Sequence, residues 1–167
     1  MTRILKYLSV TSVNEKDIPK QYIKAVKSAV NILNYADKTE KKLKQRLIEK
    51  GYNDEQTDYA VHYVKEIGLL NDTRLIGYLS ERLANVKLYG KRRIAAALYE
   101  KGFEKEDIYG IDYSEIDFIS NCAERIRRTG SKYKDKNRLT AALVRYGFSY
   151  NEINEAFCLL EEEETDE

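Results

Sequence analysis

The chain has 167 residues, 43% hydrophobic and 34% charged, with one proline and eight glycines. The apolar share is too high for a disordered chain, and so little proline excludes a collagenous or proline-rich one. The formal net charge of +1 hides a division: six of the last seven residues, Glu161 to Glu167, are acidic, and without them 22 acids stand against 29 bases, a body of +7. A basic body with an acidic tail suits a protein that meets polyanions or charged assemblies. The tail could shield the basic surface in the free protein or contact a partner, but a like-charge run is by itself a solvated end, and disorder is the expectation for this one.

Taken in chain order, the first 18 residues contain ILKYLSV, either a short strand or a disordered lead-in. The apolar stretch in MTRILKYLSV is too short for a signal peptide and no later segment is long enough to span a bilayer, so the cytoplasm is the expected location. From about Gln21 to Tyr35, Ala25, Val26, Ala29, Ile32 and Leu33 recur at helical spacing. The segment LKQRLIEKGY (Leu43 to Tyr52) follows, and then a helix with Asn53 and Gln56 as a capping box and Ala60, Val61, Val64 and Ile67 on its apolar side.

The same order then recurs. A helix starting near Asp72 carries Leu75, Ile76, Leu79, Leu83 and Val86, and IAAALYEKGF (Ile94 to Phe103) comes after it. A helix beginning after Ser114 carries Ile119, Cys122, Ala123 and Ile126, and LTAALVRYGF (Leu139 to Phe148) follows. Ser149 with Glu152 resembles a second capping box, ahead of Ile153, Ala156, Phe157 and Leu160. Leu47, Leu98 and Leu143 are equivalent, as are Gly51, Gly102 and Gly147, each glycine followed by an aromatic. Glycine closes a helix C-terminus and the aromatic packs back on the last turn. The glycines lie 51 and 45 residues apart, a period of stacked helical units.

The expected fold is therefore all-α: three tandem three-helix repeats forming an elongated, curved helical array, with a monomer as the default. The repeats are bounded at 19–70, 71–112 and 113–160, between a lead-in (1–18) and an acidic tail (161–167). Cys122 and Cys158 both fall in apolar helical patterns and read as buried, inert thiols.

The stretch GLLNDTRLIGYLSERLANVKLYGKRRIAAALYEKGF, from Gly68 to Phe103, resembles the central signature of the RecX family. The matching positions are Gly68, Leu70, Asp72, Arg82, Gly90, Arg93, Ile94, Leu98, Lys101 and Gly102, and the flanking repeats extend the likeness over roughly residues 21–160. The chain departs from the family pattern at Asn71, Leu75 and Lys91; Asn71 still caps a helix and Leu75 still fills a core. The resemblance implies a non-enzymatic regulator that binds the RecA protein or the RecA–single-stranded DNA filament. Its implied effect is to inhibit ATP hydrolysis and strand exchange, modulating recombination, DNA repair and the SOS response. An elongated helical array is suited to contacting successive protomers.

Two basic clusters are the candidate filament- or DNA-binding residues: Lys87, Lys91, Arg92 and Arg93, and then Arg125, Arg127, Arg128, Lys132, Lys134, Lys136 and Arg138. Tyr89 and Tyr133 sit among them, suited to stacking on bases or arginines. Lysine and arginine near a helix C-terminus also simply complement its dipole. Arg82 reads as a structural partner for an acid of a neighbouring repeat. Weak direct DNA binding is compatible with this role; an alternative with the same residues is an autonomous nucleic-acid-binding module that binds DNA tightly without RecA, and a third is a helical scaffold for another protein. His62 is the single histidine, and the sequence has no phosphate-binding glycine loop, dinucleotide fingerprint or metal-ligand cluster, so neither catalysis nor a cofactor is expected.

Overall fold

The structure, a computed structural model, describes residues 18–165. Among the described residues it is helical with no strand: α1 (Ile23–Tyr35), α2 (Glu40–Glu49), α3 (Asp54–Glu66), α4 (Asp72–Asn85), α5 (Lys91–Glu100), α6 (Lys105–Tyr109), α7 (Phe118–Thr129), α8 (Lys136–Arg145) and α9 (Tyr150–Thr165). A 3₁₀ turn, Gly130–Lys132, lies between α7 and α8. The order is the expected all-α series of three helices taken three times. Contacts gather into two compact units, one ending at Leu75 and the other beginning at Ile76.

One local device makes the repeat. In each repeat the aromatic after the glycine donates its N–H to the carbonyl of the equivalent leucine: Tyr52 to Leu47 at 3.2 Å, Phe103 to Leu98 at 3.3 Å and Phe148 to Leu143 at 3.2 Å. The glycine N–H bonds to the residue three before it, which completes a Schellman turn. Gly51, Gly102 and Gly147 have φ of +90°, +93° and +94°, the left-handed region that the turn requires. The leucine is fully buried each time, so the turn and the core are fixed by the same residues.

The helix after this turn begins differently from one unit to the next. Asn53 and Gln56 form a reciprocal capping box at α3. At α9 the Ser149 N–H donates to Glu152 at 2.7 Å and the Glu152 N–H to Ser149 Oγ at 3.2 Å. In the middle unit Glu104 makes no side-chain cap, and α6 has five residues before it ends at Gly110. Without the cap, the first-turn N–H groups lack the partner that holds a short helix together.

In the first unit α1, α2 and α3 pack on one another around Ala25, Val26, Ala29, Leu33, Leu43, Leu47, Ala60, Val61 and Val64. Ile18 is 4% exposed and belongs to this core; the rest of the expected lead-in, 1–17, lies outside the described residues. Tyr22 stacks on Tyr59 at 4.2 Å. In the second unit α7 packs against α9, and α8 against α9, over Cys122, Ala123, Leu143, Phe148, Ile153 and Ala156.

Three expectations about apolar faces need correction. Ile67 is 36% exposed and Val86 63% exposed. Each lies just beyond its helix, where the chain has left the helical path and periodicity no longer says which way a side chain points. Cys158 is exposed on α9, whereas Cys122 is buried. Burial, with a smaller effect from the charge of Glu152, pushes the Cys122 thiol up to about 12. A disulfide reagent such as DTNB is therefore expected to modify one thiol rapidly in the folded protein and the second only on unfolding. Two rapidly reacting thiols would contradict this burial.

The tail is a further correction. Disorder is the expectation for 161–167; residues 166 and 167 lie outside the described residues, but α9 continues as helix to Thr165. In its last turns Glu161 pairs with Lys136 of α8 and Glu163 with Arg127 of α7.

Candidate functional site

The candidate site is built on two glycines that touch. Gly90 precedes α5 and Gly147 closes α8, and the Gly90 N–H donates to the Tyr146 carbonyl at 2.9 Å. The Arg92 N–H in turn donates to the Gly147 carbonyl at 3.3 Å. The two backbones run so close that a Cβ at Gly90 would overlap the backbone of Gly147 and Phe148. The Gly147 carbonyl thereby takes up one of the first N–H groups of α5.

This contact sets the first basic cluster beside one member of the second. Arg125, on α7, lays its guanidinium 3.5 Å from the centre of the Tyr146 ring and donates to the Lys87 carbonyl at 3.4 Å. Asn121, one turn earlier, donates to Asn85 at 3.1 Å. Tyr146 lies 6.1 Å from Tyr89, and Arg93 stands over Tyr89 at 5.6 Å. Lys91 sits 5.1 Å from the Phe118 ring and 5.9 Å from Tyr113. Cations over aromatic faces are held by the ring quadrupole and keep their charge available to solvent. Lys87, Lys91, Arg92 and Arg93 are all exposed, and no ion pair neutralises them among the described residues.

The second cluster is organised differently. Arg128 binds Glu124 at 2.6 Å, and Arg127 binds both Glu124, at 3.5 Å, and Glu163. Lys136 reaches Glu161 at 3.6 Å and lies 4.3 Å from the Phe157 ring. Arg138 pairs with Asp135 at 3.5 Å. Hydrogen bonding from Arg128 holds the Glu124 carboxyl below its usual range, and the Glu163 carboxylate holds the proton of Arg127 more tightly. Lys132 and Lys134 remain exposed in the turn before α8 without an ion pair among the described residues. Thus Asp135 is the single acid within this run of sequence, but Glu124, Glu161 and Glu163 join it in space.

The signature residues divide by role. The Asp72 carboxylate accepts the Glu40 N–H at 3.0 Å, capping the start of α2, and Asn71 caps α4 by accepting from the Arg74 N–H at 2.8 Å. Gly68 has φ of +70° after α3, and Gly102 closes α5. Gly90 is the close-contact residue. These are demands of the fold. Arg82 is exposed, and the acid expected to pair with it is not found among the described residues. His62 is on the surface of α3, beside Glu66 at 3.2 Å.

Tyr146 is the member of the site that sequence reading missed. The residue before the repeat glycine is Lys50 in the first unit and Lys101 in the second, but Tyr146 in the third. That break in the repeat was the available signal. No group of three or more His, Cys, Asp or Glu residues suited to a metal occurs among the described residues, and no helix there is long and apolar enough to cross a membrane.

Residues 25–63 match the family model for the first three-helix domain of RecX. The chain is 31% identical over 153 residues to the regulatory protein RecX of Clostridium perfringens strain SM101, covering 83% of this chain and 70% of that one. It is 29% identical over 156 residues to the regulatory protein RecX of Clostridioides difficile strain 630, covering 84% and 72%. The crystal structure of RecX from Lactobacillus salivarius superposes with a TM-score of 0.71 at 20% identity, covering 83% of this chain and 95% of that one. Another crystal structure of regulatory protein RecX gives 0.70 at 19% identity, covering 80% and 71%. The solved structures support the helical repeat fold, and the sequence relatives carry the kinship: the chain belongs to the RecX family of regulatory proteins.

Proposed function

We propose that this chain is a cytoplasmic, monomeric, non-enzymatic regulator that binds the RecA protein or its single-stranded DNA filament. It restrains ATP hydrolysis and strand exchange, and so modulates recombination and DNA repair. Its repeats are those at 19–70, 71–112 and 113–160. The reading is supported by membership of the RecX family together with one observation: the cations Lys87, Lys91, Arg92 and Arg93, which make no ion pair among the described residues, gather beside Tyr89, Tyr146 and Arg125 on a backbone fixed by the Gly90–Gly147 contact. Such a face attracts acidic groups on a protein surface and orients them by arginine and tyrosine contacts.

The test is single-stranded-DNA-dependent ATP hydrolysis by the cognate RecA, with this protein titrated in at two salt concentrations. Inhibition well below equimolar protein, weakening as salt rises, is the expected result. No inhibition at equimolar protein, with intact filaments confirmed, would sink the proposal. Tight binding to DNA that is unchanged by the presence of RecA would favour the autonomous nucleic-acid module instead.

A further inference from the structure

Two cations of the basic face of α7 and α8, Arg127 and Lys136, are paired with acids in the last described turns of α9. Past Ala156, which is fully buried, the remaining described residues of α9 are half-buried at most, and Glu161, Glu162 and Glu163 are exposed. Hydrophobic burial therefore does not hold the last turn in place. Its composition opposes helix as well: carboxylates at a helix C-terminus face the negative end of the dipole, and α9 has no basic residue there to offset them. What the turn does meet is Arg127, through Glu163, and Lys136, through Glu161. Lys136 also lies over Phe157 of the same helix.

We propose that the acidic end of α9 is a displaceable cover on a strand-binding face made by Arg127, Lys132, Lys134, Lys136 and Arg138, and that single-stranded nucleic acid binds there by displacing it. These cations follow one another from the end of α7, across the 3₁₀ turn, to the first turn of α8, with half-buried Tyr133 in their midst. A run of exposed cations with an aromatic among them, interrupted only by Asp135 on Arg138, suits a polyphosphate chain, whose binding releases counterions. The cover is easily moved because both of its pairs are open to solvent, with side-chain exposures of 42% and 53% for Arg127–Glu163 and 63% and 71% for Lys136–Glu161. Exposed ion pairs of this kind are weak and screened by salt. The cover gives the α7–α8 face a ligand and a means of regulation within the RecA-directed role, on which it rests for its setting.

The experiment measures fluorescence anisotropy of a labelled thymidine oligomer of about 20 nucleotides, with the full chain and no recombinase. The variant Glu161→Gln/Glu163→Gln is expected to bind about three- to tenfold more tightly at low salt, a gain that shrinks as salt rises. In a chain that also carries Arg127→Gln/Lys136→Gln, the same two glutamine substitutions are expected to give no gain. Unchanged binding by Glu161→Gln/Glu163→Gln, with circular dichroism showing an intact fold, would overturn the cover. An equal gain in the Arg127→Gln/Lys136→Gln background would overturn it too, because the effect would then be charge acting at a distance. Tighter binding to polyglutamate, with the thymidine oligomer unaffected, would overturn the choice of nucleic acid and point to an acidic protein segment. Failure here with ATPase inhibition intact removes the cover alone, whereas loss of that inhibition removes the RecA-directed reading.

Discussion

Replacing Gly90 by alanine is expected to lower the melting temperature by roughly 5–10 °C, from a loss of about 2–3 kcal/mol. The added methyl would meet backbone atoms of Gly147 and Phe148, not the movable end of a side chain. Relief requires separating α5 from the turn after α8, which breaks the Gly90–Tyr146 and Arg92–Gly147 hydrogen bonds. A Cβ at Gly147 would be no easier to accommodate, coming within 2.7 Å of Arg93 Cβ at a backbone φ of +94°. Gly77, inside α4, is the control: a Cβ there meets nothing within 4 Å, and its φ is not in the left-handed region. Gly77→Ala should stabilise the protein by about 0.5–1 kcal/mol, since alanine favours helix and narrows the unfolded ensemble. Thermal unfolding followed by circular dichroism separates the two, and equal melting of Gly90→Ala and the parent chain would refute the backbone contact.

Reversing charge at Arg92 and Arg93 to glutamate should raise the concentration needed for half-inhibition of RecA ATPase about tenfold or more at low salt. Both side chains are exposed and make no ion pair among the described residues, so reversal leaves no internal carboxylate stranded. The Arg92 N–H on the Gly147 carbonyl survives substitution, and Arg93 gives up only its solvent-exposed place over the Tyr89 ring. The doubly reversed chain should accordingly melt close to the parent temperature while inhibition is lost. Reversing Arg127 and Arg128 is expected to do less to inhibition, because Glu124 and Glu163 already neutralise them in the free protein. Equal inhibition by Arg92→Glu/Arg93→Glu and the parent would move the contact off α5.

The repeat was legible because one local rule wrote it three times. A Schellman turn needs glycine at a fixed offset from a buried leucine, and both are visible in the sequence at Leu47/Gly51, Leu98/Gly102 and Leu143/Gly147. The capping boxes at Asn53 and Ser149 were legible for the same reason, as their partners lie three residues away. The charge pattern was harder to read. Arg125, Arg127 and Arg128 look like one cluster in the sequence, but the 100° step of a helix sends Arg125 to Tyr146 and leaves the other two with acids. The partner of Arg127 is Glu163 and that of Lys136 is Glu161, pairings made by tertiary packing of α9 against α7 and α8. Gly90 was recognised as a signature residue, but its reason lies at Gly147, in a different repeat. Ile67, Val86 and Cys158 show the converse error, in which an apolar pattern was carried to positions that packing leaves open.

The contact between Gly90 and Gly147 also bears on how tightly the exposed cations beside it can hold a partner. A charged loop that must be ordered on binding gives up backbone freedom at that moment, on the order of 1 kcal/mol for each residue fixed. The chain from Gly90 into α5 has already lost that freedom in folding, because its N–H groups are tied to Tyr146 and Gly147. An acidic surface meeting Lys91, Arg92 and Arg93 would have only their side chains left to order, so the backbone entropy at this face has largely been settled by two residues that have no side chains at all.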